Sequence, residues 1–304
     1  MARNGSTTSI GGVHPQPASA ASANTDVGRL LLRCADRPGL VSAVSTFLAG
    51  AGANIVSLDQ HSTRHSGGTF MQRTIFHLPG LSIARDAMRR DFAADIAARF
   101  EMDFSLTEAS TPKRVAIMAS TADHCLLDLL WRNRRGELDM SVQAVISNHL
   151  DLAEQVRPFG VPFVHVPAGR ADTENRQLDL LGGNVDLVIL ARYMQILTPR
   201  FLEQVGCPLI NIHHSFLPSF VGAAPYRRAK ERGVKLVGAT AHYVTATLDE
   251  GPIIEQDVVR VDHRHDVSDL TRLGADVERA VLSRAVLWHC EDRIIRDGNQ
   301  TIVF

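Results

Sequence analysis

The first clear rhythm in the chain is an alternation of short apolar runs with amphipathic stretches, beginning near residue 26. Residues 29–33 (Arg-Leu-Leu-Leu-Arg) predict a strand. Val41, Val44, Phe47 and Leu48 then recur at helical spacing, and Gly50-Ala51-Gly52-Ala53 ends that helix. Residues 54–58 and 69–78 predict two further strands; Phe70, Thr74, Phe76 and Leu78 share one face of the second. A second helix over 83–100 carries Ala84, Met88, Phe92, Ile96 and Phe100 on one side. This βαββα order with an open sheet predicts a ferredoxin-like module. Residues 107–113 are polar and predict a linker.

From Arg114 the pattern changes to fully apolar strands separated by helices. Strands are predicted at 115–120, 140–147, 163–166, 187–191, 209–212 and 237–244, with helices at 126–134 and 277–295. Runs of this kind belong to a mostly parallel sheet covered on both faces. The expected division is a flexible tail over 1–25, a small module over 26–108 and a larger α/β domain over 109–304. The tail is rich in Ser, Ala, Gly, Thr and Pro and has too few large apolar residues to bury a core.

Composition narrows the class. With 304 residues, 45% hydrophobic and 21% charged, the chain reads as a globular protein of roughly two domains. A net charge of −1 gives no overall attraction for nucleic acid or an anionic membrane. No apolar run is long enough to span a bilayer. The four cysteines (Cys34, Cys125, Cys207, Cys290) are scattered, with no zinc-type spacing, as expected of reduced thiols in the cytoplasm.

The chemistry concentrates at 210–218, Ile-Asn-Ile-His-His-Ser-Phe-Leu-Pro. On a strand, Asn211 and His213 lie two residues apart and so share a face. A polar pair at the end of an apolar strand is where an open α/β sheet places ligands. Asp249, in Leu-Asp-Glu-Gly-Pro, supplies a carboxylate. Amide, imidazole and carboxylate together can polarise a carbonyl and move a proton. The plainer alternatives are a strand end that satisfies its own hydrogen bonds and, for Asp249, a turn former. His242 either positions Asp249 or is a satisfied core histidine, and His214 has an open role. His263 and His265 lack paired metal-ligand spacing, so no metal is expected.

The stretch from Asn211 to Gly222, Asn-Ile-His-x-Ser-x-Leu-Pro-x-Phe-x-Gly, resembles the signature of the folate-dependent formyltransferase family. It is followed by Gly238-Ala239-Thr240-Ala241-His242 and Asp249-Glu250-Gly251-Pro252-Ile253-Ile254. Within that family, His213-His214-Ser215, Gly222-Ala223-x-Pro225-Tyr226 and Glu231-Arg232-Gly233-Val234-Lys235 resemble the formyltetrahydrofolate deformylases. Ala224 departs from the Lys or Arg frequent at that position. The resemblance covers nearly all of residues 26–304 and implies a Rossmann-like catalytic domain.

The activity implied is hydrolysis of 10-formyltetrahydrofolate to formate and tetrahydrofolate, with formate passing to purine synthesis. Asn211 would stabilise the carbonyl oxygen, His213 would do so when protonated or relay a proton, and Asp249 would orient and deprotonate water, with no cofactor. The segment 190–199 would line the pterin pocket through Arg192, Met194, Ile196 and Leu197, with His242 and Val244 nearby; Ile196 and Leu197 are otherwise core residues of the next helix. Glycinamide ribonucleotide transformylases in the family hold a phosphate on a glycine-rich loop after the first strand. Here residues 119–126 contain no glycine and an acidic Asp123. With no basic C-terminal extension for tRNA either, water is the acceptor that remains. Formyl transfer to an amine, or a non-catalytic amino-acid or folate sensor, are the alternatives.

The turn Asp36-Arg37-Pro38-Gly39-Leu40 resembles that of ACT domains. The likeness implies an amino-acid effector such as glycine or methionine near Asp36, Pro38, Gly39 and Asn54. It also implies a homo-oligomer, a tetramer built from dimers. A purely structural helix start, with Pro38 near the first helical position and Asp36 as cap, is the alternative.

Overall fold

The computed structural model describes residues 24–169, 171–218 and 225–304. The tail expected over 1–25 therefore falls almost wholly outside the described residues, as do Gly222, Ala223 and Ala224. The N-terminal module comprises β1 (Val27–Ala35), α1 (Leu40–Gly50), β2 (Asn54–Ser62), β3 (Thr69–His77), α2 (Leu81–Phe92) and β4 (Asp103–Glu108). Its sheet is antiparallel in the order β2-β3-β1-β4, the ferredoxin-like arrangement expected. A π-helical turn, Ala93–Ala97, continues α2 to Phe100, so the predicted helix over 83–100 is one rod with a wide turn inside it. Leu30, Leu32, Val44, Leu48, Phe76 and Phe92 form the core between the helices and one sheet face.

Two features differ from expectation. Strand β4 occupies part of the predicted linker, which shrinks to residues 109–112. Its Phe104 and Leu106 alternate with polar residues, but six residues carry too weak a rhythm to stand out. The second face of the sheet is also covered, so β3 is buried almost throughout rather than on alternate residues. The cover is a C-terminal hairpin, β12 (Ile294–Asp297) and β13 (Gln300–Val303), turning at Gly298-Asn299. Leu31 and Met71 pack there against Ile295, Ile302 and Phe304.

The larger domain runs β5 (Lys113–Ala119), α3 (His124–Arg134), β6 (Met140–Ser147), α4 (Ala153–Val156), β7 (Phe163–His165), α5 (Thr173–Leu181), β8 (Leu187–Leu190), α6 (Pro199–Gln204), β9 (Leu209–His213), α7 (Pro225–Arg232), β10 (Leu236–Tyr243), β11 (Ile253–Arg260) and α8 (Val267–Cys290). Its sheet order is β11-β10-β9-β8-β5-β6-β7. The five strands from β9 to β7 are parallel, and β10 and β11 extend them antiparallel. The chain moves outward from β5 through β6 to β7, then crosses back to β8 on the other side of β5. That reversal opens a crevice at the carboxyl ends of β5 and β8. Met194 N–H donates to Ser120 Oγ across it, at 3.0 Å.

Helix α8 starts ten residues before the predicted 277 and ends at 290. Asp266 and Asp269 form a capping box at its start. Gly274, inside α8, forms a notch, since a Cβ there would lie 1.9 Å from Tyr226 Oη. At the other end of α8, Asp292 ties the two domains together. Its carboxylate receives Lys113 Nζ at 2.8 Å, Thr107 Oγ1 at 2.8 Å and Arg29 Nη1 at 3.4 Å. Arg73 donates to the carbonyls of Glu291 and Asp292. Among the described residues, no helix is long and apolar enough to cross a membrane.

Candidate active site

Strand β9 presents Asn211 and His213 on one face, as their two-residue spacing requires. The antiparallel partner β10 sets His242 directly opposite Asn211, and Asn211 Nδ2 meets His242 Nε2 at 3.2 Å. The loop after β10 folds back so tightly that a Cβ at Gly251 would strike the Tyr243 carbonyl. Within that loop Asp249 takes a left-handed φ of 58°, which Asp tolerates better than most residues. Its Oδ2 lies 3.2 Å from His213 Nδ1 and its Oδ1 3.7 Å from His242 Nε2. The structure thus brings together Asn211, His213, Asp249 and His242.

The hydrogen bonds assign roles to ring atoms. His242 Nδ1 donates to the Tyr243 carbonyl at 2.9 Å, so in a neutral ring Nε2 accepts the Asn211 amide hydrogen. His242 Nε2 lies 3.7 Å from Asp249 Oδ1, beyond a normal hydrogen bond. The hydrogen bond from His213, then the nearby His242 ring, holds the Asp249 carboxyl well below the usual carboxylate range, against the opposing effect of burial. Asp249 is therefore an anion at any working pH. His213 Nε2 is buried and has no partner among the described residues. It is the ring atom left for a reacting group.

A cavity of about 690 Å³ opens over these residues. Arg192, Met194, Ile196, Leu197, His242 and Val244, the residues expected at a substrate pocket, all line it. Met194 is 58% and Ile196 76% exposed, so neither is a core residue of the following helix; only Leu197 also packs on the core. His214, Tyr226, Thr245, Leu248 and Thr271 complete much of the wall. Of these, Thr271 carried no sequence signal, because it reaches the cavity only once α8 crosses the sheet.

Glu278 is a larger omission. It faces inward from α8 with a side-chain exposure of 2%, on the same side of the helix as Gly274, Val281 and Leu282. Its oxygens meet His124 Nε2 at 2.7 Å, Tyr226 Oη at 2.7 Å and Arg192 Nη1 at 3.4 Å. Burial alone would raise its proton affinity, but the bond from His124 and the charge of Arg192 outweigh burial and lower it. His124, Cys125 and Glu278 are the one described cluster with metal-ligand chemistry, their donor atoms lying within 4.8 Å of one another. The carboxylate is already committed to three donors, Arg192 beside it opposes a cation, and burial keeps the Cys125 thiol protonated.

Two histidines make stability depend on pH. Burial, then Lys113, pushes His289 down to about 4; its Nδ1 accepts from Tyr243 Oη at 2.8 Å. Burial, then Arg192 and His213, pushes His214 down to about 4. Unfolded histidine titrates near ~6.5, so between these values the unfolded chain binds more protons. The stabilisation is complete above about pH 6.5 and is lost as pH falls toward 4. Urea unfolding at about pH 4.5 should show a loss of about 2–3 kcal/mol per histidine relative to neutral pH. His289→Gln should remove roughly half of the two-histidine contribution; an unchanged pH slope would show that His289 is not responsible.

The expected effector residues lie apart, in the small module. Pro38, Gly39 and Asn54 are exposed and Asp36 is half-buried. Helix α1 begins at Leu40 after Gly39, whose φ is 93°, without a side-chain cap. Asp36 therefore does not cap this helix, and Pro38 lies two residues before its first position.

Comparison with known proteins agrees with this architecture. A family model described as formyl transferase matches residues 113–286, and one described as ACT domain matches residues 28–90. A formyltetrahydrofolate deformylase from Mycobacterium tuberculosis (strain ATCC 25618 / H37Rv) is 74% identical over 282 residues, covering 92% of this chain and 91% of the relative. One from Bacillus subtilis (strain 168) is 51% identical over 285 residues, covering 92% and 95%. The crystal structure of a formyltetrahydrofolate deformylase from Pseudomonas syringae pv. tomato superposes with a TM-score of 0.87 at 46% identity, covering 91% of this chain and 94% of that one. With an ACT module joined to a formyltransferase domain and relatives this similar over nearly its whole length, the chain belongs to the formyltetrahydrofolate deformylase family.

Proposed function

We propose that this enzyme hydrolyses 10-formyltetrahydrofolate to formate and tetrahydrofolate. The observation that carries the reading is the meeting of the Asn211 amide, the unpartnered His213 Nε2 and the anionic Asp249 at one cavity. The apolar faces of Met194, Ile196 and Leu197 suit a flat heteroaromatic ring. Water, oriented by Asp249, adds to the formyl carbon, and the carbonyl electron pair moves to oxygen. Asn211 donates to that oxygen, as does His213 Nε2 when the ring is protonated, its Nδ1–H being directed at Asp249; one preorganised donor is worth about 3 kcal/mol. Asp249 is a weak base at rest, but the attacking water becomes strongly acidic as its bond to carbon forms, so the carboxylate can then take its proton. Return of a proton to the departing nitrogen breaks the C–N bond. The reaction needs no metal or organic cofactor.

Water is favoured over a phosphorylated amine by the turn between β5 and α3. There His124 is committed to the Glu278 carboxylate and Ser120 to Asn148 and Met194, and a buried anion at this point opposes a phosphate. Purified protein given 10-formyltetrahydrofolate and no amine should release formate. Strict dependence on an amine would establish transfer instead, and folate binding without turnover would establish a sensor. Formate released in this way feeds purine synthesis.

The small module serves regulation and assembly in this reading: glycine or methionine binds near Asp36, Pro38, Gly39 and Asn54, and the chain forms a tetramer built as a dimer of dimers. Support comes from the ACT match and from β2, a nine-residue edge strand. An open edge of this length is suited to pairing with another chain. Thr245 lines both the active-site cavity and a cavity of about 700 Å³ between the domains, so the loop bearing Asp249 faces both. Light scattering and rate measurements on the full chain, with and without each amino acid, test both claims.

A further inference from the structure

We propose that Glu278 is a positioning residue, acting through Arg192 to hold the folate-binding wall of the cavity in its binding shape. The inference rests on the folate reading above. The wall begins at Arg192, whose φ of 61° lies in the left-handed region that a long side chain rarely adopts. Such a conformation persists only where the surroundings over-determine it. Here the backbone is fixed just downstream, where Met194 N–H donates to Ser120 Oγ. The side chain is fixed by Glu278, with Nη1 3.4 Å from Oε2 and 3.5 Å from Oε1.

Glu278 is suited to the task because it cannot move. Its carboxylate is buried, and His124 and Tyr226 each donate to it at 2.7 Å. The hydroxyl of Tyr226 reaches it through the notch at Gly274, one turn earlier on α8. The carboxylate also balances the Arg192 guanidinium, one of the charges that hold the His214 ring neutral. The arrangement joins a long helix that contributes no reacting group to the loop that shapes the pocket.

The test uses the full-length protein, tetrahydrofolate as a probe that is not turned over, and steady-state formate release. Glu278→Gln keeps the side chain's size and removes its charge. It should raise the tetrahydrofolate Kd and the KM for 10-formyltetrahydrofolate at least ~10-fold, with kcat within about threefold, because Asn211, His213 and Asp249 are untouched. In an Arg192→Ala background the same change should add less than about twofold, since its route of action is gone. Equal losses in both backgrounds, a loss confined to kcat, or no loss would overturn the proposal. If Glu278→Gln does not fold, Glu278→Asp keeps the charge but shortens the arm by one methylene. It too should weaken tetrahydrofolate binding several-fold, and unchanged binding would overturn the proposal. Wild-type protein that bound no tetrahydrofolate would defeat the folate reading and this assignment together. Wild-type binding that Glu278→Gln leaves intact would defeat the assignment alone.

Discussion

Asp249→Asn is expected to lower kcat by at least ~100-fold with the fold retained. The substitution keeps the shape and the left-handed loop, which Asn also tolerates. It removes the charge that faces His213 Nδ1 at 3.2 Å and the oxygen that takes the proton of the attacking water. His213→Ala and Asn211→Ala should cost about as much, because each removes a donor aimed at the developing oxyanion. The losses should not add, since the three side chains act on one intermediate. Single-turnover rates measured beside tetrahydrofolate affinity separate chemistry from binding. Near-normal kcat in Asp249→Asn across the accessible pH range would show that Asp249 does not activate water.

Asp292→Asn should destabilise the protein by about 3 kcal/mol and loosen the small module from the catalytic domain. Asp292 has a φ of 52°, so Asn, which tolerates that region, isolates the loss of charge from backbone strain. Its side chain is only 11% exposed and pairs with both Lys113 and Arg29. Without the carboxylate, these cations face each other at a half-buried seam with Arg73 close by, whose own proton affinity is already lowered by burial and by Arg29. Urea unfolding and limited proteolysis report the two parts of the prediction. A loss below about 1 kcal/mol, with no new cleavage between the domains, would show that Leu31, Met71 and Ile295 hold the seam by packing alone.

Much of the site was written locally. Asn211 and His213 share a face because a strand alternates, whatever surrounds it. The apolar 190–199 segment and the βαββα rhythm were legible for the same reason, since each depends on residues close in sequence. The family resemblance rested on long local motifs, which is why the catalytic set and the pocket wall could both be named from them. The edges of elements were less legible: β4 was too short to announce itself, and α8 begins ten residues before the predicted start.

Other features depend on contacts that no local pattern encodes. Glu278 lies 154 residues from His124, 86 from Arg192 and 52 from Tyr226. In sequence it is one charged residue in a helix; its role appears only when α8 crosses the sheet and buries it among three donors. Arg29 and Arg73 anchor the domain seam because the segment after α8 and the C-terminal hairpin cover the sheet face they share. The sequence by itself determined the local geometry of the reacting groups and the family to which they belong. Only the tertiary structure decided which buried charges support them, because a buried charge is defined by the partners the fold brings to it.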